Sequence, residues 1–422
     1  MLMLRRPSFI APHLMAIFIG VSIPSLVLGR AVAGVAMVLA LLCIALLPSR
    51  KACLQHLKKT AGSPLGLLVC ATMALWLPAV VFSLDPMRSF EAWARTIVFI
   101  SGAVMVWGAL AEEPELLELS LRVLLLASGV AVVVALVALF GPRDFLSIIR
   151  LKSYFVRPEE ALKGFAAVTM LMVPVVWWAG RRLGGYWAKV GIALVLCFLV
   201  IIAEVKNMAA FAGLCAMVIV FGLYIWSKQN LTSSILVTLA LVVGIASLIV
   251  TLYVVRGDLK PHPEIDFDYA APIWLIDYLR QVVWSFSLEK AWESPWIGHG
   301  INVVNFLPGA DQAIHTSGIN FIPGHPHNWA IEIFAETGLV GLLPLVVVVV
   351  ALIVRLGQVY FRSRDAAVLM ALAVNVGYWG SGLSNFSFWS AWWQVSFMAL
   401  IAICLAGQRR APADSPPGQV RS

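Results

Sequence analysis

Residues 324–343 read GHPHNWAIEIFAETGLVGLL and change character halfway. Two histidines flank a proline, an asparagine follows, and an apolar run carrying Glu332 and Glu336 begins at once. His325 and His327 suit three chemistries. An HxH pair can ligate a metal, a histidine can satisfy a helix start, and a neutral imidazole can act as a base near pH 7. Residue types alone leave all three open. The metal option lacks a clear third ligand unless His299 or His315 folds back. Glu332 and Glu336 stand about one helical turn apart inside an apolar stretch, where ionisable groups are costly and face the bundle interior or water.

Cations supply the other half of a possible centre. Arg280 precedes Trp284 by one helical turn in DYLRQVVWSFSLEK. Its guanidinium is a fork for phosphate oxygens, or a head group snorkelling from an amphipathic helix. Lys206 lies between two apolar runs in IIAEVKNMAAFAG, either paired with Glu204 or held for an anionic headgroup. The segment GPRDFLSIIRLKSYFVRPEEALKG carries Arg143, Arg150, Lys152, Arg157 and Lys163. These pair locally with Asp144, Glu159 and Glu160, or they bind an anion. Trp389, Trp392 and Trp393 in NFSFWSAWWQ are expected as an aromatic belt at a membrane surface.

The elements that must position these residues follow from composition. Of 422 residues, 61% are hydrophobic and only 12% are charged, against about 25% charged in soluble domains. Apolar runs long enough to cross about 30 Å of hydrocarbon recur along the chain. They predict about twelve spans, at 9–28, 31–48, 64–83, 95–111, 119–141, 164–180, 187–204, 208–226, 231–255, 329–354, 366–384 and 388–407. The fold class is an all-α polytopic membrane protein of about 12 transmembrane helices, with a large periplasmic loop containing amphipathic helices. Residues 1–255 form spans one to nine, 256–328 the loop, 329–407 the last three spans, and 408–422 a disordered cytoplasmic tail rich in Pro, Ser and Gly. In the loop, Trp274, Leu275, Tyr278, Leu279, Val282, Val283, Phe286 and Trp292 recur at helical spacing and predict an interfacial amphipathic helix.

Orientation comes from the basic residues. Arg5, Arg6, Arg50, Lys51, Lys58, Lys59, Arg181, Arg182, Arg355, Arg362, Arg364, Arg409 and Arg410 fall on one side if both termini are cytoplasmic. That pattern accounts for the formal charge of +8 without a nucleic-acid partner. No convincing small-x-small cleavage site follows the first apolar run, which reads as a retained helix. The six cysteines show no CxxC spacing and read as small core residues. The chain has no Walker loop, no GxGxxG and no cytoplasmic loop long enough for a nucleotide domain. Any reaction therefore uses an already activated substrate, met from the membrane or the far side.

Two segments resemble a known family. RQVVWSFSLEKAWESPWIGHGINVVNF resembles an Arg-x-x-x-Trp helix followed by a Pro-hydrophobic-Gly-x-Gly turn, here Arg280, Trp284, Pro295, Gly298 and Gly300. HPHNWAIEIFAETGLVGLL resembles a His-x-His-Asn, Glu-x-Gly-x-x-Gly signature, here His325, His327, Asn328, Glu336, Gly338 and Gly341. Together they are similar to the O-antigen ligase and polymerase superfamily of bacterial inner-membrane glycosyltransferases, the ligase branch fitting better. Many members carry Ser-Arg where this chain has Val205-Lys206, so lysine keeps the charge and loses the fork. The Pro-Asn element often seen after the basic loop is absent from SYFVRPEEALKGF.

The resemblance implies a GT-C type membrane enzyme of the inner membrane with a periplasmic active site and no metal or other cofactor. It implies an undecaprenyl-diphosphate-linked glycan as donor and a lipid A–core sugar as acceptor, or another lipid-linked repeat in a polymerase. On that reading His327 is the base, Arg280, Lys206, Arg157 and Arg150 bind the diphosphate, and His325, Asn328, Glu336 and Trp284 support them. A membrane transporter, or a metal- or haem-handling protein, is the alternative of another class.

Overall fold

The structure, a computed structural model, describes residues 7–226, 278–314 and 318–409. Proline decides several of the helix starts. Pro64, Pro86, Pro114 and Pro158 each occupy the first helical position, where the missing N–H costs nothing and φ is already helical. The helices are α1 (Pro7–Ser22), α2 (Arg30–Ala45), α3 (Arg50–Ala61), α4 (Pro64–Leu75), α5 (Leu77–Val81), α6 (Pro86–Glu112), α7 (Pro114–Phe140), α8 (Phe145–Ile149), α9 (Pro158–Ala161), α10 (Lys163–Leu183), α11 (Tyr186–Glu204) and α12 (Met208–Trp226). After the undescribed 227–277 come α13 (Tyr278–Glu293), α14 (Trp329–Ser363), α15 (Ala366–Ser381) and α16 (Ala391–Ala406). Among the described residues there is no strand, only an isolated bridge between Ala313 and Asn320. The chain is an all-helical polytopic membrane protein.

Helices stand over every predicted span except 231–255, which lies outside the described residues, as do the segment 256–277 and the tail 410–422. Six of the described helical stretches are long and apolar enough to cross a membrane, and α2 with α3 would make a seventh if that bent pair is one span. Several other apolar helices are shorter, at 10–17 residues. The basic stretch after span two was expected as a loop. It forms α3 instead, turned by 107° from α2. Its Cys53 is buried and its His56 ring meets Trp107 of α6 edge-on at 4.5 Å.

α10 is the central helix, buried along most of its length and packed against α7, α11, α12, α15 and α16. One end of the bundle gathers α3, the close of α10 and the approach to α15: Arg182 donates to the Gly407 carbonyl at 2.7 Å, and Asp365 accepts from the Arg409 N–H at 2.6 Å. The opposite end gathers the α1–α2 turn, the α11–α12 turn, the α15–α16 loop and the start of α14.

A break in α14 shapes that second end. Gly338 has φ +62 and ψ −168 inside the helix, a conformation open to glycine at little cost. The break frees backbone groups on both sides, and the turn 295–300 takes them. His299 and Gly300 N–H donate to the Ala335 and Glu336 carbonyls at 3.1 and 2.9 Å. Leu339 and Val340 N–H donate to the Pro295 and Trp296 carbonyls at 2.8 and 3.1 Å. A Cβ on Gly338 would lie 2.2 Å from the Trp296 carbonyl carbon, and one on Gly298 2.3 Å from that of Glu336. The two glycine-containing motifs are therefore halves of one backbone joint.

Candidate active site

The histidine loop enters α14 through a cap. Asn328 has extended backbone, and its side-chain oxygen accepts from Ala330 and Ile331 N–H at 3.0 and 3.3 Å, satisfying two of the orphan donors of a helix start. The residue before it, His327, takes φ +59. That left-handed conformation costs a non-glycine residue about 1–2 kcal/mol, so the surroundings must hold it. Trp284 of α13 donates its indole N–H to the Pro326 carbonyl at 2.8 Å. On the other side, His327 Nδ1 lies 3.1 Å from the Asn385 carbonyl in the α15–α16 loop. A carbonyl only accepts, so Nδ1 carries the proton and the neutral ring has its lone pair on Nε2.

His325 is the less polar partner. Its ring centroid is 4.1 Å from that of His327. Burial holds the imidazole down at about 3, with the neighbouring His327 pushing the same way, because an enclosed ring cannot recover the hydration of its charged form. His325 is thus neutral near pH 7. Its buried Nε2 has no hydrogen-bond partner among the described residues.

The two glutamates of α14 spend their oxygens on backbone and anchoring donors. Glu332 accepts from the Ser387 hydroxyl at 2.5 Å and the Phe388 N–H at 2.7 Å. Glu336 accepts from the Asn302 and Val304 N–H at 2.8 and 3.1 Å, and from the Trp389 indole N–H. Both side chains are buried. The resemblance implied a supporting role for Glu336. Its bonds tie the 302–304 and 389 segments to α14, and Glu332 fixes the loop that carries Asn385. The aromatic-belt expectation is corrected here. Trp389, Trp392 and Trp393 are 2%, 8% and 1% exposed, because Trp389 is bonded to Glu336, Trp393 stacks on Tyr378 at 4.9 Å, and Trp392 packs on Phe386 at 4.7 Å.

α13 fulfils the expected helical spacing, but its Val283, Phe286 and Ala291 pack with Val304, Leu307 and Phe334 in a small core of their own. Arg280 stands on this helix one turn before Trp284, half-buried. Lys206 is exposed in the α11–α12 turn at φ +53. It forms no ion pair with Glu204 among the described residues. The next residue, Asn207, caps α12 through Ala210 N–H at 3.1 Å and donates to the Lys163 carbonyl at 2.9 Å, which fixes the turn against the start of α10. Arg150 has burial-lowered basicity. Its Nε and Nη2 donate to the Val27 carbonyl at 3.2 and 2.9 Å, and Nη2 also to that of Ala161 at 3.2 Å. Arg157 is exposed and pairs with Glu160 at 3.3 Å, the local pairing that sequence held open. Among the described residues no three His, Cys, Asp or Glu side chains gather as a metal site.

Two residues beside these groups were not singled out in the sequence. Asn385 sits in a short polar hairpin, and nothing in its neighbours marks it. Arg30 opens α2 with its guanidinium carbon 5.1 Å from the Trp392 ring centroid. Its signal was available: it is a cation on the turn between spans one and two, on the side opposite the basic residues that set the orientation.

An all-helical membrane bundle with paired histidines and several cations at one end is the frame into which comparison with known proteins falls. The O-antigen ligase family matches residues 192–346, a stretch holding Lys206, Arg280, Trp284, both histidines and the α14 joint, and leaving out Arg30, Arg150 and Arg157. A Rickettsia conorii protein provisionally named a polysaccharide ligase is 25% identical over 117 residues, 27% of this chain and 28% of that one. A Rickettsia bellii protein of the same provisional name is 27% identical over 120 residues, 28% of this chain and 29% of its own. The chain thus aligns with less than a third of these relatives' lengths. It resembles the O-antigen ligase family in the region that builds the candidate site.

Proposed function

We propose that this protein is a lipid-linked glycan ligase. It transfers a polysaccharide from undecaprenyl diphosphate to a sugar of the lipid A–core at the periplasmic face of the bacterial inner membrane, with both termini cytoplasmic. The observation that carries the reading is the fixed His327 ring, its Nδ1 turned to the Asn385 carbonyl at a membrane-helix end lined with cations. The likeness to O-antigen ligases over 192–346 supports it.

The chemistry follows. The acceptor hydroxyl attacks the anomeric carbon as the bond to the diphosphate oxygen breaks. The hydroxyl proton passes to His327 Nε2, and undecaprenyl diphosphate leaves with the bonding pair. A single displacement inverts the anomeric configuration. Charge grows on the departing diphosphate, and fixed cations stabilise it. Arg280 and Lys206 are the principal ones, with Arg150 and Arg157 as further members. His325, Asn328, Trp284 and Glu336 hold the geometry. Two lipid-anchored substrates meeting in one cleft react with little loss of freedom on binding.

The test is transfer by purified protein given a lipid-linked polysaccharide and, separately, lipid A–core or a second lipid-linked repeat. Product on the core is expected. Product only on the repeat would make the protein a polymerase, and no product on either would remove glycan transfer.

A further inference from the structure

The cations that sequence singled out lie on the α8–α9 segment, the α11–α12 turn and α13. The turn between α1 and α2 adds one that none of these readings includes. It is a tight structure: Pro24–Val27 form a 3-10 turn, Gly29 follows at φ +144, and Arg30 opens α2. Arg150 reaches across and binds the Val27 carbonyl with two nitrogens. Arg150 is thereby anchored on the turn three residues before Arg30, and among the described residues Arg30 has no carboxylate partner. Burial and then Arg30's charge lower the Arg150 pKa, and Arg30 adds to the lowering at His325. Cations held at a loop end with no carboxylate partner among the described residues suit an anionic ligand.

The path from Arg30 to the histidine loop runs through named contacts. The guanidinium lies over Trp392, Trp392 packs on Phe386, and Phe386 follows Asn385, whose carbonyl holds His327. Along this path two buried ring nitrogens, Trp392 Nε1 and His325 Nε2, have no hydrogen-bond partner among the described residues. Buried polar atoms are nearly always paired in folded proteins, so both suit a site completed by a bound polar group. Trp392 is 8% exposed.

We propose that Arg30 is a further anion-binding residue of this centre, gripping a phosphate of a lipid headgroup that enters toward His327, with Arg150 backing it and Trp392 as its platform. The phosphate belongs either to the undecaprenyl donor or to the phosphorylated acceptor. Naming those two lipids rests on the glycan-ligase reading, whereas binding of a lipid phosphate does not.

The experiment uses the full chain in nanodiscs, as wild type, Arg30→Gln and Arg30→Lys. Thermal unfolding is followed with undecaprenyl phosphate against undecaprenol, and with lipid A against its dephosphorylated form. The wild type should be stabilised by one phosphorylated lipid and not by its neutral counterpart. Arg30→Gln should lose that difference, and Arg30→Lys should keep part of it. Stabilisation by undecaprenyl phosphate assigns the donor, and stabilisation by lipid A assigns the acceptor. In transfer assays Arg30→Gln should raise KM for that same substrate by about tenfold or more, as loss of a charge-assisted bond does, with kcat at saturation changed less than about threefold. If Arg30→Gln does not fold, the Arg30→Lys difference decides. The proposal is overturned by phosphate-specific stabilisation that is equal in wild type and variants, or by none in the wild type. Stabilisation that depends on Arg30 in a protein that transfers no glycan would leave this site standing and remove the ligase reading.

Discussion

The histidine loop and the first turns of α14 lie a few residues apart and use their polar groups in opposite ways. At Glu332 and Glu336, five hydrogen bonds reach the carboxyl oxygens, all from backbone, hydroxyl or indole donors that lock loops to the helix. At His325 and His327, one nitrogen is fixed on a carbonyl and another is buried with no partner among the described residues. Ionisable residues in a membrane helix point first to function. Here the carboxyl groups tie loops to the helix, and the chemistry proposed for His327 lies just outside them.

Substitutions on the two sides should separate cleanly. His327→Ala should lower transfer by about 10²–10⁴-fold, the usual contribution of a positioned base, with the melting temperature unchanged. Full activity in that variant would end the base assignment. Glu336→Ala should do the reverse. It strands three donors, at about 1–3 kcal/mol each, so the variant should melt far below wild type, and whatever remains folded should be active in proportion. A variant that melts normally but is inactive would move Glu336 into the chemistry.

Acid offers a milder probe. The His325 imidazole sits at about 3 in the folded protein against an ordinary 6.5. Between those values the unfolded chain binds a proton that the folded chain refuses, so stability is full above about 6.5 and falls as pH drops. His325→Asn should flatten that fall in a melting series from pH 7 to pH 4.5. An unchanged slope would show that other groups set it. The smallest effect is expected at Asn328→Ala, which removes the α14 cap at about 1 kcal/mol. Asn328→Asp should restore most of it, and transfer should track the cap through the His327 geometry.

Much of this was readable in the sequence. Apolar run lengths placed the helices, and the spacing from Arg280 to Trp284 and from His325 to Gly341 marked the elements that build the site. What escaped depends on partners far apart in the chain. Nothing in Glu336 itself says that it will meet Asn302 and Trp389, or that Trp389, Trp392 and Trp393 will turn inward. α3 was hidden by its charge, since its burial against α6 rests on a few residues such as Cys53 and His56. Arg30 was visible as an exception to the charge pattern, but its importance comes from Arg150, roughly 120 positions later.

The loop between α15 and α16 carries a consequence for biogenesis. His327 is held from Asn385, Glu332 from Ser387 and Phe388, and Glu336 from Trp389. Every one of these partners is translated after the groups that need it. A nascent chain that has inserted α14 but not yet the following hairpin carries Glu332 without either of its donors, Glu336 without the Trp389 indole and His327 without its orienting carbonyl. The geometry proposed for His327 therefore forms only when the α15–α16 hairpin has left the ribosome and inserted, so a product truncated before Asn385 should transfer no glycan.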